Sequence, residues 1–249
     1  MTSGTVSDGP GTPGALPPGP HAARSQLAGL VADGGRWPAA WRHAVGRLDP
    51  ATARDAAVLV LFGVLDRVPA DHAADAVAAD LDLLLLSRAA TLGSHPGQVA
   101  FPGGRVDPGD RGPVDAALRE AVEETGLDAA GVEVLGTLGA LPLPVSDHLV
   151  TPVLGWWART SPVGVVDHAE STHVFRAPVA DLIAPQNRRT AVVRRAGRTF
   201  RSPAFLVDDA AGAARHVVWG FTAGVVDALF DRLGWTEPWD ASREIPAPL

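Results

Sequence analysis

The chain has 249 residues, 46% hydrophobic and 20% charged, enough to bury a real core and consistent with one large domain bearing extensions. Its formal net charge of −7 disfavours nucleic acid and anionic membranes as partners, because long-range repulsion opposes both. There is no cysteine, which excludes a disulfide framework, a cysteine-based metal site and a cysteine nucleophile. Neither a charged leader followed by an apolar segment nor an apolar run of about 18 residues occurs, so the expected setting is the cytoplasm.

Residues 1–22 are dominated by glycine and proline and hold few apolar side chains. Such a segment cannot offset its ordering entropy by burial, and a disordered tail is expected there, with a single domain over 23–249. Leu27, Leu30 and Val31 have helical spacing, Gly34 and Gly35 stop that run, and Pro38 suits the start of a second helix. Trp37 and Trp41 read as core anchors. Residues 56–65 and 81–87 are short continuous apolar runs, the pattern of strands buried on both faces. A polar, alanine-rich loop joins them. Arg88 follows the second run directly and is either solvated or turned into a site.

Residues 88–104 are punctuated by glycine and proline around a short strand at 98–101. A helix is then expected from Pro113, a residue suited to the first helical position, to a stop at Gly126. Its apolar stripe, Val114, Ala117, Leu118, Ala121 and Val122, should pack on a sheet. Glu120, Glu123 and Glu124 lie at i, i+3 and i+4 and share the other face. Three clustered carboxylates repel one another unless a hard divalent cation or basic side chains sit among them. Arg119 is four residues before Glu123, placed for an ion pair that orients the carboxylates.

Beyond the helix, strands are expected at 132–141, 149–157 and 170–177, with Pro152 marking a bulge or an edge. A helix start follows at 178–183, then a hairpin over 190–207 turning at Ala196-Gly197-Arg198. The last helix is expected over 217–233 and is apolar on most of its surface, fit to cover the sheet or to build the face of a homodimer. Mixed strands with few helices make an α+β fold or an α/β/α sandwich.

Gly104, Asp110, Arg119-Glu120, Glu123-Glu124 and Gly126 follow the pattern G-x5-[E/D]-x7/8-R-E-x2-E-E-x-G, which resembles the signature of Nudix hydrolases. Asp110 stands where most of that superfamily has glutamate, and the gap before Arg119 is eight residues instead of seven. Both features, with the upstream stretch SRAATLGSHPGQVAFPGG, resemble the coenzyme A pyrophosphatase branch. That branch's form L-L-T-x-R-[S/A]-x3-R-x3-G-x3-F-P-G-G is met at Arg88-Ala89, Gly97 and Phe101 to Gly104. It is not met at Leu86, where threonine is usual, nor at Gly93, where a second arginine is usual.

The resemblance implies a Nudix-type α/β/α sandwich with a mixed β-sheet and a catalytic loop-helix-loop. It implies Mg²⁺ or Mn²⁺ held by Glu120, Glu123 and Glu124, with the Gly103 carbonyl as a further ligand. Arg119 would orient the carboxylates and Asp110 would hold the loop to the helix. The general base would be Glu170, in a loop that also offers Asp167 and His168, or else Glu120. Arg88, His95, Gly103 and Gly104 would face substrate. The implied partner is a small molecule with a nucleoside diphosphate linkage: coenzyme A or acyl-coenzyme A, cleaved to 3′,5′-ADP and (acyl-)phosphopantetheine. The departure at Gly93 keeps ADP-ribose, NADH and nucleoside triphosphates open as substrates. A non-catalytic nucleotide sensor is a reading of another class, against which stands the presence of all three glutamates.

Overall fold

The computed structural model describes residues 19–35, 37, 48, 52–64, 68–91, 97–195, 197–208 and 215–248. Helix α1 (Pro20–Ala32) takes in the last three residues of the stretch expected to be a tail, with proline at its first position. Residues 1–18, Pro38 and Trp41 lie outside the described residues. Trp37 is a core residue, as expected of a tryptophan anchor.

The larger sheet is built on β1 (Arg54–Gly63), the strand expected at 56–65. It runs parallel to β7 (His148–Trp157) along most of its length. On its other side it meets β2 (Asp82–Arg88) at one end and β4 (Gly103–Arg105) at the other. Strands β3 (Val99–Ala100) and β8 (Ser171–Pro178) flank β2, while β5 (Val132–Thr137) and β6 (Leu141–Leu143) flank β7. Parallel and antiparallel pairs thus mix, and β1 is apolar on both faces because both are covered. Ala57, Leu59 and Leu61 point to a core under helix α2 (Pro113–Thr125), whereas Val60 and Phe62 point to the other core.

That second core is closed by a smaller sheet, ordered β11 (Arg215–Val218), β10 (Arg198–Asp208), β9 (Arg188–Arg195) and β12 (Glu244–Pro246), and by helix α4 (Gly220–Leu233). A short helix α3 (Val179–Ile183) links the two sheets. The fold is α+β, with the mixed sheet between helical and sheet layers. Among the described residues no helix is long and apolar enough to cross a membrane.

Four expectations are corrected. The last helix starts at Gly220, not at 217, because the β-branched Val217 and Val218 pair with Leu206 and Phe205 as strand β11. Residues 132–141 are two strands. The ladder shifts between Val134 and Gly136, where α1 lies so close that a Cβ on Gly136 would fall 2.4 Å from Val31 Cγ1. Pro152 is on neither an edge nor a bulge of its own strand: β7 is interior. Its carbonyl accepts the Leu138 N–H at 2.9 Å, so its nitrogen faces the gap between β5 and β6, where no ladder bond is lost. Finally, Val122 on α2 is 41% exposed, and Ala116, Glu124 and Thr125 are buried instead.

Arg188 ties α4 to the smaller sheet. It is fully buried, ion-paired with Asp227, and its guanidinium lies 4.4 Å from the Phe205 ring centre and 4.5 Å from that of Trp239. Removing the buried Arg188 leaves Asp227, whose side chain is 30% exposed, without its partner, so Arg188→Met should lower unfolding free energy by about 2 kcal/mol in urea titration, less than for a fully buried stranded charge. Adding Asp227→Leu should recover most of that loss. Equal stability of the single and double variants would contradict this account of the pair.

Candidate functional site

Helix α2 places the acidic side chains. It opens on Pro113 and closes on Gly126, whose φ of 71° is the left-handed conformation that suits glycine. Its small residues Ala116, Ala117 and Ala121 let it lie close on β1. Strand β4 then passes beside the helix, and two glycines make that approach feasible. A Cβ on Gly103 would fall 2.4 Å from the Ala57 carbonyl oxygen, and one on Gly104 would fall 2.4 Å from the Glu120 carboxylate.

Glu124 is buried, and its Oε2 accepts the Gly103 N–H at 2.9 Å. Its Oε1 faces Arg88 Nη1 at 4.0 Å. Burial pushes the Glu124 carboxyl up from the ordinary 4.5 to about 7; the Gly103 bond and Arg88 oppose that rise, while Glu120 and Glu170 reinforce it. Glu120 is also raised, by burial first, against the pull of Arg119. Glu123 is the most exposed of the three, at 57%.

Arg119 holds the loop and the helix together. Its Nε and Nη2 donate to the two oxygens of Asp110 at 3.1 and 2.9 Å, and Nη2 also donates to the Arg105 carbonyl at 3.0 Å. Its Nη1 donates to Glu120 at 3.0 Å and to Glu123 at 3.1 Å. The hydrogen bond from Arg119, with a second from the Asp107 backbone, holds the Asp110 carboxyl below the usual range. Asp107 was not singled out from the sequence. Its N–H donates to Asp110 at 2.8 Å and its carboxylate stands 3.7 Å from Arg119, so the signal was a second acid in the loop GGRVDPGD.

Glu170 is brought to the cluster from 46 positions beyond Glu124 in the chain. Its carbonyl accepts the Ala89 N–H at 2.8 Å, its side chain is exposed, and its charge acts on Glu124. The other candidates in that loop differ: Asp167 is used by the turn, accepting the Ala169 N–H at 2.7 Å, and His168 is exposed. His95 and Gly93 lie outside the described residues.

The three carboxylates are adjacent but do not converge. Among the described residues no three acidic or histidine side chains are grouped to hold a metal ion, because Arg119 draws Glu120 and Glu123 to one side while Gly103 holds Glu124 on the other. The donors nevertheless suit a hard divalent cation. All are oxygens, and burial raises both Glu120 and Glu124, with repulsion between them adding to the rise of Glu124, a cost that a cation would relieve.

Residues 70–195 match the family model of the NUDIX domain. An uncharacterised Nudix hydrolase NudL of Photorhabdus laumondii is 38% identical over 151 residues, covering 59% of this chain and 74% of that protein. Its counterpart in Cronobacter sakazakii is 37% identical over 152 residues, covering 61% and 75%. The Shigella flexneri protein of the same name is 33% identical over 178 residues, covering 69% and 88%.

A carboxyl with a raised folded value keeps its proton longer in the folded state. Its stabilising contribution is therefore complete below the unfolded value of 4.5 and is lost as pH rises through about 7. The metal-free protein should lose thermal stability between those values, and Glu124→Gln should flatten that slope. A melting series from pH 4.5 to 8 checks this; parallel slopes would sink it.

Proposed function

The chain is a member of the Nudix hydrolase family, and on that premise we propose that it cleaves the diphosphate of coenzyme A or an acyl-coenzyme A, releasing 3′,5′-ADP and (acyl-)phosphopantetheine. The observation that carries this reading is the position of Arg88. The arginine of the coenzyme A branch motif stands 4.0 Å from Glu124, so the upstream motif and the acidic helix meet at one place.

Members of this family generally use divalent metal ions, and Mg²⁺ or Mn²⁺ would here neutralise the diphosphate's charge. Glu120, Glu123, Glu124 and the Gly103 carbonyl would hold it. Arg88 would pair with a phosphate oxygen as a planar, charge-assisted donor. Glu170 would take the proton of the attacking water as its oxygen bonds to phosphorus and the P–O–P bond breaks, the leaving phosphate keeping the electron pair. The exposure of Glu170 leaves its side chain free to swing towards the substrate. Arg119 touches no substrate atom in this scheme and acts as a positioning residue, fixing Glu120 and Glu123.

Gly93 favours a second reading in which the chemistry is kept and the substrate changed. The missing guanidinium removes one phosphate partner that coenzyme A enzymes of this branch carry, so ADP-ribose, NADH or a nucleoside triphosphate is the alternative.

A panel of these compounds with Mg²⁺, read by product mass, separates the two. Coenzyme A should give 3′,5′-ADP, and Glu124→Gln should abolish turnover while keeping its circular dichroism. No cleavage of coenzyme A beside fast cleavage of another compound would overturn the substrate. Glu170→Gln should lower kcat by about 10²-fold or more, the usual scale for a general base, with little change in KM. A kcat within twofold of the parent would remove Glu170 from that role.

A further inference from the structure

Ser171 opens strand β8 and is 1% exposed. Its Oγ is buried without a hydrogen-bond partner, and so is Arg88 Nε. Strand hydroxyls usually find a nearby backbone group, but the backbone here is already engaged. The Ser171 N–H donates to the Asp167 carbonyl at 3.0 Å, and the Ala89 N–H donates to the Glu170 carbonyl at 2.8 Å.

The register explains why these two groups are neighbours. Strand β8 pairs Val174 with Leu86 and His173 with Ser87, then the ladder shifts so that Ser171 faces Arg88. The extra residue is Thr172, which is exposed and whose own hydroxyl is directed to the Ser87 carbonyl at 3.4 Å. Cross-strand partners share a side of the sheet, and Arg88 reaches Glu124 on the side of α2. Two buried polar atoms on paired residues, one of them on the arginine that meets Glu124, are therefore left without a protein partner. Such an arrangement is costly in a folded chain and is relieved by an acceptor that arrives with a ligand.

We propose that Ser171 is a substrate-binding residue, and that its hydroxyl and Arg88 Nε–H jointly receive a non-bridging phosphate oxygen. Glu120 is held by Arg119, and Glu124 accepts the Gly103 N–H at its Oε2 and turns its Oε1 to the Arg88 Nη1 side at 4.0 Å, so neither carboxylate fills the place of an acceptor at Arg88 Nε. The guanidinium donates only and carries a positive charge, and the serine hydroxyl is able to donate beside it, so the site favours a negatively charged acceptor. Ser171 directly follows Glu170, the residue assigned to the attacking water, in the chain. The identity of the substrate rests on the diphosphatase reading above; the subsite itself needs only a phosphate oxyanion.

The test uses methylenediphosphonate, whose P–C–P bridge resists hydrolysis, titrated calorimetrically into the full chain with Mg²⁺. Ser171→Ala should weaken binding about tenfold or more, the scale of a lost hydrogen bond to a charged group. The melting temperature of the ligand-free variant should be unchanged or higher, because an unsatisfied buried hydroxyl has gone. Ser171→Cys, nearly the same size but a weak donor, should behave alike and guards against a packing defect. In an Arg88→Ala background the effect of Ser171→Ala should shrink, as expected for two donors on one oxygen. Undiminished affinity in both serine variants overturns the proposal, as does a lower melting temperature with unchanged affinity, the signature of a structural hydroxyl. With any compound that is turned over, Ser171→Ala should raise KM while kcat changes little, since the bond is made equally in ground and transition states. Should no compound in the panel be cleaved while the bisphosphonate result holds, the diphosphatase reading fails and the subsite stands.

Discussion

Arg119 is the group on which the acidic helix face depends. Three glutamates and two aspartates crowd this region, and alone they would drive the loop away from the helix. One guanidinium spans them: two donors go to Asp110, one nitrogen is shared by Glu120 and Glu123, and a bond to the Arg105 carbonyl fastens strand β4. A planar fork of fixed donors does this, and a lysine ammonium could not reproduce it. Because the fork consumes Glu120 and Glu123 from one side, Glu124 is left as the buried carboxylate facing Arg88.

Close approach is the second constraint. Strand β4 lies against both β1 and α2, and this requires Gly103 and Gly104 to lack side chains. The helix meets the same need with alanines at the positions that touch β1. A helix packed this tightly buries Glu124 and Thr125 at its C-terminal end, and the desolvation that raises Glu124 follows from that packing. The acidic face and the packed face of α2 thus overlap at Glu124, which a simple two-sided picture of the helix does not anticipate.

The opposite face of the large sheet has another task. There β10, β11 and α4 enclose an apolar core, and the buried Arg188, beside two aromatic rings, joins helix to sheet. This layer carries β11 beside the end of β2, where Ser87 Oγ and His216 Nδ1 are 3.2 Å apart. The two layers therefore brace the strand end that presents Arg88, although the residues of the smaller sheet lie far along the chain from it.

The sequence by itself determined the local elements and the identity of the acidic cluster. Helical spacing, Pro113 and Gly126 marked α2 to within a residue. Apolar runs marked β1 and β2, because strands covered on both faces must be apolar throughout. The motif from Gly104 to Gly126 identified the family, since its acids, arginine and glycines recur at spacings that only one helix face and one loop can use. Tertiary structure decided what depends on neighbours remote in the chain. Pro152 is tolerated in an interior strand because its nitrogen meets a gap between β5 and β6. Val217 and Val218 became a strand because β10 was there to pair with them. Glu124 is buried and Glu123 exposed because of where β4 and Arg119 lie. Ser171 faces Arg88 only because the ladder of β2 and β8 slips by one residue. Local spacing encodes which side chains share a face, but burial, register and the company of distant strands arise only when the sheet closes.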